Sequence, residues 1–331
     1  VPIIQYSGGT LDSRFNSAVT RLRDKWAEHG FKMYENTLLD EIAMVDMSSR
    51  KAIEQIGMLI DGSRYEITGL TSEAHYSENP PKVIAECPYK RMDLFGIEWG
   101  KLQDDLSREV AIRSIPDLAG KPVQAPLLEI LSLLNSNPAC LYDGKTFFNT
   151  QHLIDPLSAD VTDNQASNLI TQALSSTGWN TVLQTIMQRK DPGSDTSNGK
   201  NYLPNRSLTG QNLIIWTGYT SHFTDLQKIF DPKNLWAAAN GPEYRRVYTQ
   251  ASVQLVPEMA AYSGSDNYVY LLVNNTPNRG VFARIPHSPT IDRSQPGSDV
   301  EVDRKVQRVH AYQTFGKTTC FPWALYKWQF S

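Results

Sequence analysis

The stretch PLLEILSLLNSNPACLYDGKTFF, residues 126–148, constrains the fold more than any other part of the chain. Its leucines fall at helical spacing and need a core to lie against, with Pro126 tolerated in a first turn. Asp143-Gly144 is the preferred dipeptide of a two-residue type I′ hairpin turn. Leu141-Tyr142 enters that turn and Lys145-Thr146-Phe147-Phe148 leaves it. Burying either phenylalanine contributes roughly 1.5–3 kcal/mol. A long helix is therefore tied to an aromatic-anchored reversal, and the chain must mix helix with strand.

The flanking sequence extends this pattern. LQDDLSREVAIRSI predicts a helix with acidic residues in its first turn, Asp104-Asp105 among them. Pro116, Pro122 and Pro126 predict a kink or break near Gly120. Earlier, RYEITGL and RMDLFGIEW alternate in the β manner across residues 64–99 and predict a long hairpin with an elaborated tip. Two strands alone are marginal in water, so such a hairpin rests on its own domain or on another molecule. Near the start, Asp12 can cap a helix carrying Leu11, Phe15, Val19, Leu22 and Trp26 on one stripe. Downstream, helices are expected at 164–175 and 179–188, and a polar loop at 191–205. NLIIWTG is a buried strand, and a short helix follows with Ser221 as its cap. SVQLVPEM, NYVYLLVN and GVFARI continue in β character, and FPWALYKWQF is densely aromatic.

Composition narrows the function classes. The chain has 331 residues, a formal net charge of −3, 40% hydrophobic and 20% charged residues. At that length about three quarters of the unfolded surface is buried, enough for two sub-domains. A phosphate-binding surface normally shows as a basic excess, which is absent. No apolar run approaches the length of a bilayer span, and no signal-like segment opens the sequence. Cys87, Cys140 and Cys320 form no C-x-x-C pair, which fits a reducing compartment. The six histidines are dispersed without metal-ligand spacing, and no cofactor-binding motif is present.

One candidate for chemistry stands out. CLYDGKTFFNTQHLIDP places Cys140, Asp143, Lys145, Asn149, His152 and Asp155 together. Asp143 and His152 could act as an acid–base pair, with Lys145 or Asn149 stabilising negative charge. The competing reading is architectural. Asp143-Gly144 makes the bend, the phenylalanines anchor it, and Asn149 and Thr150 bond nearby backbone. Cys140 then reads as a small buried hydrophobe, and His152 as a hydrogen-bonding group that fixes the hairpin's exit. The architectural reading is preferred, so no catalytic residue is assigned; an intracellular α+β enzyme using Asp143 and His152 is the alternative.

Residues 126–156 resemble the signature region of the major head protein of Mu-like phages, in which a leucine-ended helix leads to C-Y-D-G-Q-x-F-F-D-T-D-H-P. Cys140, Asp143, Gly144, Phe147, Phe148, Thr150 and His152 match. The departures are Leu141-Tyr142 for an adjacent Tyr, Lys145 for Gln, Asn149 and Gln151 for Asp, and Leu153 for Pro. Losing both acids while keeping turn and aromatic residues fits a structural role. A weaker collinear match covers most of the chain after roughly Glu35.

The resemblance implies an α+β fold of the Hong Kong 97 type. Residues 1–35 would be an N-terminal arm, 59–99 an extended β-hairpin loop and 101–136 a spine helix of the peripheral domain. Residues 157–260 would hold the axial domain, and 261–331 strands returning to the peripheral domain. It implies a capsid subunit, or another shell-forming protein on that fold. Hexamers and pentamers would tile an icosahedral virion head assembled in the bacterial cytoplasm. The shell would enclose double-stranded DNA without sequence-specific binding. Partners would be other head proteins such as a portal, scaffold or decoration protein, with no membrane and no cofactor.

Overall fold

A computed structural model describes residues 20–22, 24, 38–48, 51–58, 82–98, 118, 120–154, 164–189, 210–230, 251–274, 278–286, 289–293 and 308–331. The first strand of the expected hairpin, the helix from 101, Asp104-Asp105 and the loop 191–205 lie outside them. So does the N-terminal arm, apart from helical residues 20–22 and 24 and the buried Leu22.

The chain is α+β, and its described residues form two five-stranded sheets. Helix α1 (Leu38–Ile42) leads straight into β1 (Ala43–Asp46), and β2 (Ile53–Met58), β3 (Lys82–Pro88) and β4 (Lys90–Glu98) follow. Helix α2 spans Lys121–Ser136 and is followed by the short strands β5 (His152–Leu153), β6 (Gln165–Ala166) and β7 (Leu169–Thr171). After them come α3 (Ser176–Met187), β8 (Leu213–Thr217), α4 (Thr220–Ile229), β9 (Ser252–Leu255) and β10 (Tyr268–Val273). The last strands are β11 (Val281–Arg284), β12 (Thr290–Arg293), β13 (Arg308–Thr319) and β14 (Leu325–Gln329).

The first sheet follows the path β1-β11-β13-β12, with β4 also paired to β13. The second has the order β7-β14-β10-β8-β9, and two-stranded pieces join β2 to β3 and β5 to β6. Strand β10 shows how the second sheet is covered. All six of its residues are buried, and they alternate between two cores. Tyr268, Tyr270 and Leu272 join a core shared with α2 and the first sheet. Val269, Leu271 and Val273 face Trp179, Val182 and Ile186 of α3 and Leu226 of α4. A strand buried on both faces loses polar alternation, which is why YVYLLV and the LIIW of β8 run without a charged or amide residue. This sheet crosses the boundary expected at residue 260, because β10 and β14 lie in it with β8 and β9.

Several local expectations are revised. Strand β4 pairs antiparallel with β13, and the described ribbon is instead β2 with β3, Ile53 opposite Pro88 and Met58 opposite Lys82. The root of that ribbon is held by Arg284, whose side chain is completely buried. Its guanidinium donates to Cys87 O at 2.8 Å, Lys51 O at 2.9 Å and the Tyr89 hydroxyl at 2.7 Å, and lies 3.8 Å from the Tyr89 ring centroid. Helix α2 does begin after Gly120, but Pro122 occupies its first turn and Pro126 lies inside it. The proline withholds one helical bond there, while Leu127, Ile130, Leu131 and Leu134 are buried and hold the helix by packing. Residues 164–175 are not helical. They form β6, β7 and the cap of α3, because β7 finds a parallel partner in β14. Ser175 caps α3, accepting from Gly178 N at 3.1 Å. The cap position of α4 is Tyr219, without a side-chain cap bond, in place of Ser221.

Candidate functional site

The hairpin after α2 is tied together by a dense set of hydrogen bonds. Asn137 ends the helix in the left-handed region, at φ 48°, a conformation that Asn tolerates better than most residues. Its side chain then crosses to the hairpin, where Oδ1 accepts from Phe148 N at 2.7 Å and Nδ2 donates to Phe148 O at 3.3 Å. Cys140 N donates to Lys145 O at 2.7 Å, and Gly144 N donates to Cys140 O at 2.9 Å. The loop thus holds four residues, Leu141 to Gly144, where the sequence predicted a two-residue type I′ turn. That turn requires positive φ at both central residues. Only Gly144 has it, at 74°.

Asp143 instead turns its carboxylate inward. Oδ1 accepts from Lys145 N at 3.1 Å, and Oδ2 accepts from Leu153 N at 3.2 Å. Oδ2 also lies 2.7 Å from His152 Nδ1, with side-chain exposures of 0% for the aspartate and 2% for the histidine. Burial pushes the Asp143 carboxyl up, but the hydrogen bond and charge of His152, with the amides of Lys145 and Leu153, outweigh it. The group is held below its ordinary value. The other ring nitrogen, Nε2, lies 2.8 Å from Phe147 O. Both nitrogens therefore face protein oxygens.

That geometry decides what the pair can do. A general base needs a free lone pair within reach of a proton to be taken. Here Nε2 is spent on a backbone carbonyl, and among the described residues no hydroxyl or thiol is bonded to it. Cys140 is 3% exposed. Burial is the main reason its thiol is pushed up to about 12, the nearby Asp143 adding to it and a hydrogen bond with Thr319 opposing it. It is no thiolate nucleophile. Asn149, expected to stabilise negative charge, spends its side chain locally, on Thr146 Oγ1 at 3.1 Å and Gln151 N at 2.9 Å. Lys145 contributes its backbone to the turn, and Thr150 is exposed. Asp155 lies outside the described residues. No cluster of His, Cys, Asp or Glu among the described residues could hold a metal ion.

Aromatic packing completes the hub. Phe147 and Phe148 are buried edge to face with centroids 4.9 Å apart, and Phe148 stacks on Tyr270 at 5.4 Å. Tyr142 packs edge-on to Trp323 at 5.3 Å and donates its hydroxyl to Ile154 O at 2.6 Å. Asn168 was not singled out from the sequence. It is 1% exposed, and its Nδ2 donates to Phe147 O at 2.7 Å, Pro322 O at 3.0 Å and Leu325 O at 3.3 Å. Its Oδ1 accepts from Asn149 N at 2.9 Å. No local pattern marks such a residue, because its partners are distant in sequence.

A separate cleft of about 460 Å³ opens between α2 and the β4–β13 pair. Its charged walls are largely paired with one another: Lys317 Nζ meets Glu129 Oε2 at 2.6 Å, and Arg91 Nε meets Asp93 Oδ1 at 3.3 Å.

No protein-family model and no curated protein matches the chain. Among solved structures it is similar to the mature capsid of bacteriophage PhiM1, with a TM-score of 0.47 and 10% identity over 89% of this chain and 87% of that one. The capsid of cyanophage Pam1 is similar with a TM-score of 0.46 and 11% identity, covering 87% and 88%. The capsid of a native GTA particle is similar with a TM-score of 0.47 and 13% identity, covering 88% and 89%.

Proposed function

We propose that this chain is a major capsid protein of a tailed double-stranded DNA phage, built on the Hong Kong 97-type fold and related to the Mu-like head proteins. Hexamers and pentamers of it would close an icosahedral shell around the genome. Residues 1–35 would be the arm, β2 and β3 with the joining residues 59–81 the extended loop, and 101–136 the spine. Residues 157–260 would form the axial domain together with β10 and β14 of the same sheet, with β11, β12 and β13 in the peripheral domain.

The observation that carries this reading is the fate of the signature residues. Of the seven positions shared with the Mu-like signature, Cys140, Asp143, Gly144, Phe147, Phe148 and His152 sit in one hydrogen-bonded hub, and Thr150 is exposed beside it. A segment retained for its turn, anchor and internal ion pair is one whose purpose is shape. The β2–β3 ribbon adds support. It is a two-stranded piece of its own, anchored where Ile84 and Ala85 of β3 enter the core shared with α2 and where Arg284 binds its root, and residues 59–81, which join its strands, would reach a neighbouring copy. A shell repeats such contacts, each burying on the order of 1,000 Å² or more. The slight negative charge is compatible with confining DNA by enclosure.

The test is direct. Size-exclusion chromatography and negative-stain imaging of the expressed protein should show capsomers or megadalton shells. A monomer or small dimer at all concentrations, salt conditions and with co-expressed head proteins would overturn the proposal.

A further inference from the structure

Two strands from the last part of the sequence close both sheets. β13 pairs with β4, β11 and β12, and among the described residues no other pairing joins those three strands. β14 sits between β7 and β10, parallel to the first and antiparallel to the second. The same segment fills both cores. Phe315, Cys320, Phe321, Ala324 and Leu325 enter the core shared with α2, while Tyr326 and Trp328 enter the one under α3 and α4.

The segment is also wired to the hairpin through one residue. Asn168 donates to Pro322 O and Leu325 O on the closing segment and to Phe147 O on the hairpin. Its backbone O accepts from Lys327 N at 2.8 Å, and its backbone N donates to Asn149 O at 3.1 Å. Docking of β14 and completion of the hairpin therefore share a single side chain. When Pro322 and Leu325 are absent from their places, the buried Asn168 amide loses two of its three acceptors, and β7 loses its only described strand partner.

We infer that residues 308–329 are a folding clasp and Asn168 the latch through which it locks the 140–154 hairpin. The native subunit forms only after this segment docks. Pairings between residues so far apart in sequence close late, since loop entropy is lost before they contribute. The consequence for assembly rests on the capsid reading above: surfaces that bind neighbouring copies are not presented until the clasp is shut, so chains lacking it cannot enter a shell. The clasp itself does not depend on that reading.

Hydrogen exchange followed by mass spectrometry on the full-length protein, across a denaturant series, tests it. The expected result is that β4, β11, β12 and the hairpin lose protection in the same step as β13 and β14. If β4, β11 and the hairpin stay protected after β13 and β14 have exchanged, the clasp is wrong. In full-length Asn168→Ala, amides of 140–154 should exchange about tenfold faster, as loss of a buried hydrogen bond implies, with β8 and β9 unchanged. Unaltered exchange there removes the latch. Imaging of the wild type is read separately. One-step exchange without shells sinks the capsid reading and leaves the clasp standing.

Discussion

Asp143 Oδ2 and His152 Nδ1 meet at 2.7 Å in a place water does not reach, nine residues apart along the chain. Removing one member of a buried pair strands the other's charge and polar bonds, at a cost of roughly 3–5 kcal/mol. His152→Ala should lower the free energy of unfolding by about that much, read from urea denaturation followed by tryptophan fluorescence. It should abolish no separate enzymatic activity. A hydrolase reaction lost in His152→Ala while folding is intact would restore the acid–base reading of this hairpin.

The same pair sets an acid limit. Asp143 is held below its ordinary carboxylate value in the folded protein. Its contribution is therefore complete above the unfolded value, about 3.9, and is lost as pH falls through the lower folded value. The difference in unfolding free energy between wild type and Asp143→Asn should shrink as pH falls below about 4. A difference that grows on acidification would contradict the assignment.

Arg284 predicts a second sensitive point. Its guanidinium serves two carbonyls and a phenol from the two sides of the ribbon root. Arg284→Met would leave those acceptors without their donor, and each orphaned buried group costs about 1–3 kcal/mol. Arg284→Lys should recover only part of the loss, because an ammonium cannot reproduce the planar fork. Chemical denaturation of both variants gives the ranking; equal stability of Lys and Arg would show that the fork is unimportant.

Thiol chemistry offers a third check. All three cysteines are free and buried, and burial is the chief cause pushing Cys87 and Cys140 up to about 12. Iodoacetamide at neutral pH should leave the native protein unmodified and label all three thiols in denaturant, counted by intact mass. Rapid native labelling of Cys140 would reopen the question of its reactivity.

A deletion separates ribbon from sheet. Removing 64–98 would excise β3 and β4, and β4 is a partner of β13, so that deletion destroys the fold along with the ribbon. Met58 and Lys82 face each other in register, so residues 59–81 can be replaced by Asn-Gly. The variant should remain folded by circular dichroism and fail to form shells. Closed particles from it would refute a role for the extended loop in assembly.

What was legible in the sequence follows from distance along the chain. The helix at Trp179, the strand at Leu213 and the all-apolar β10 were readable because their periodicity is local. The bend at Asp143-Gly144 was readable as a turn but not as a four-residue loop. The carboxylate's destination, His152 and the amide of Leu153, lies beyond the dipeptide. Asn168, Arg284 and the β4–β13 pairing were illegible for the same reason, since each acquires its partners from remote segments. Residues 165–171 were misread as helical because a parallel partner, β14, outweighs weak local preference.

Strand β10 carries one further consequence. Its odd-numbered residues answer to α3 and α4, and its even-numbered ones to α2 and the hairpin. Substitutions there are addressed by parity: a change at Leu271 is felt on one side of the wall, and a change at Tyr270 on the other. Slipping the strand by a single residue would hand every side chain to the wrong neighbour on both sides at once. The position of each residue in this strand is thus constrained twice, by two interiors that never touch it on the same face.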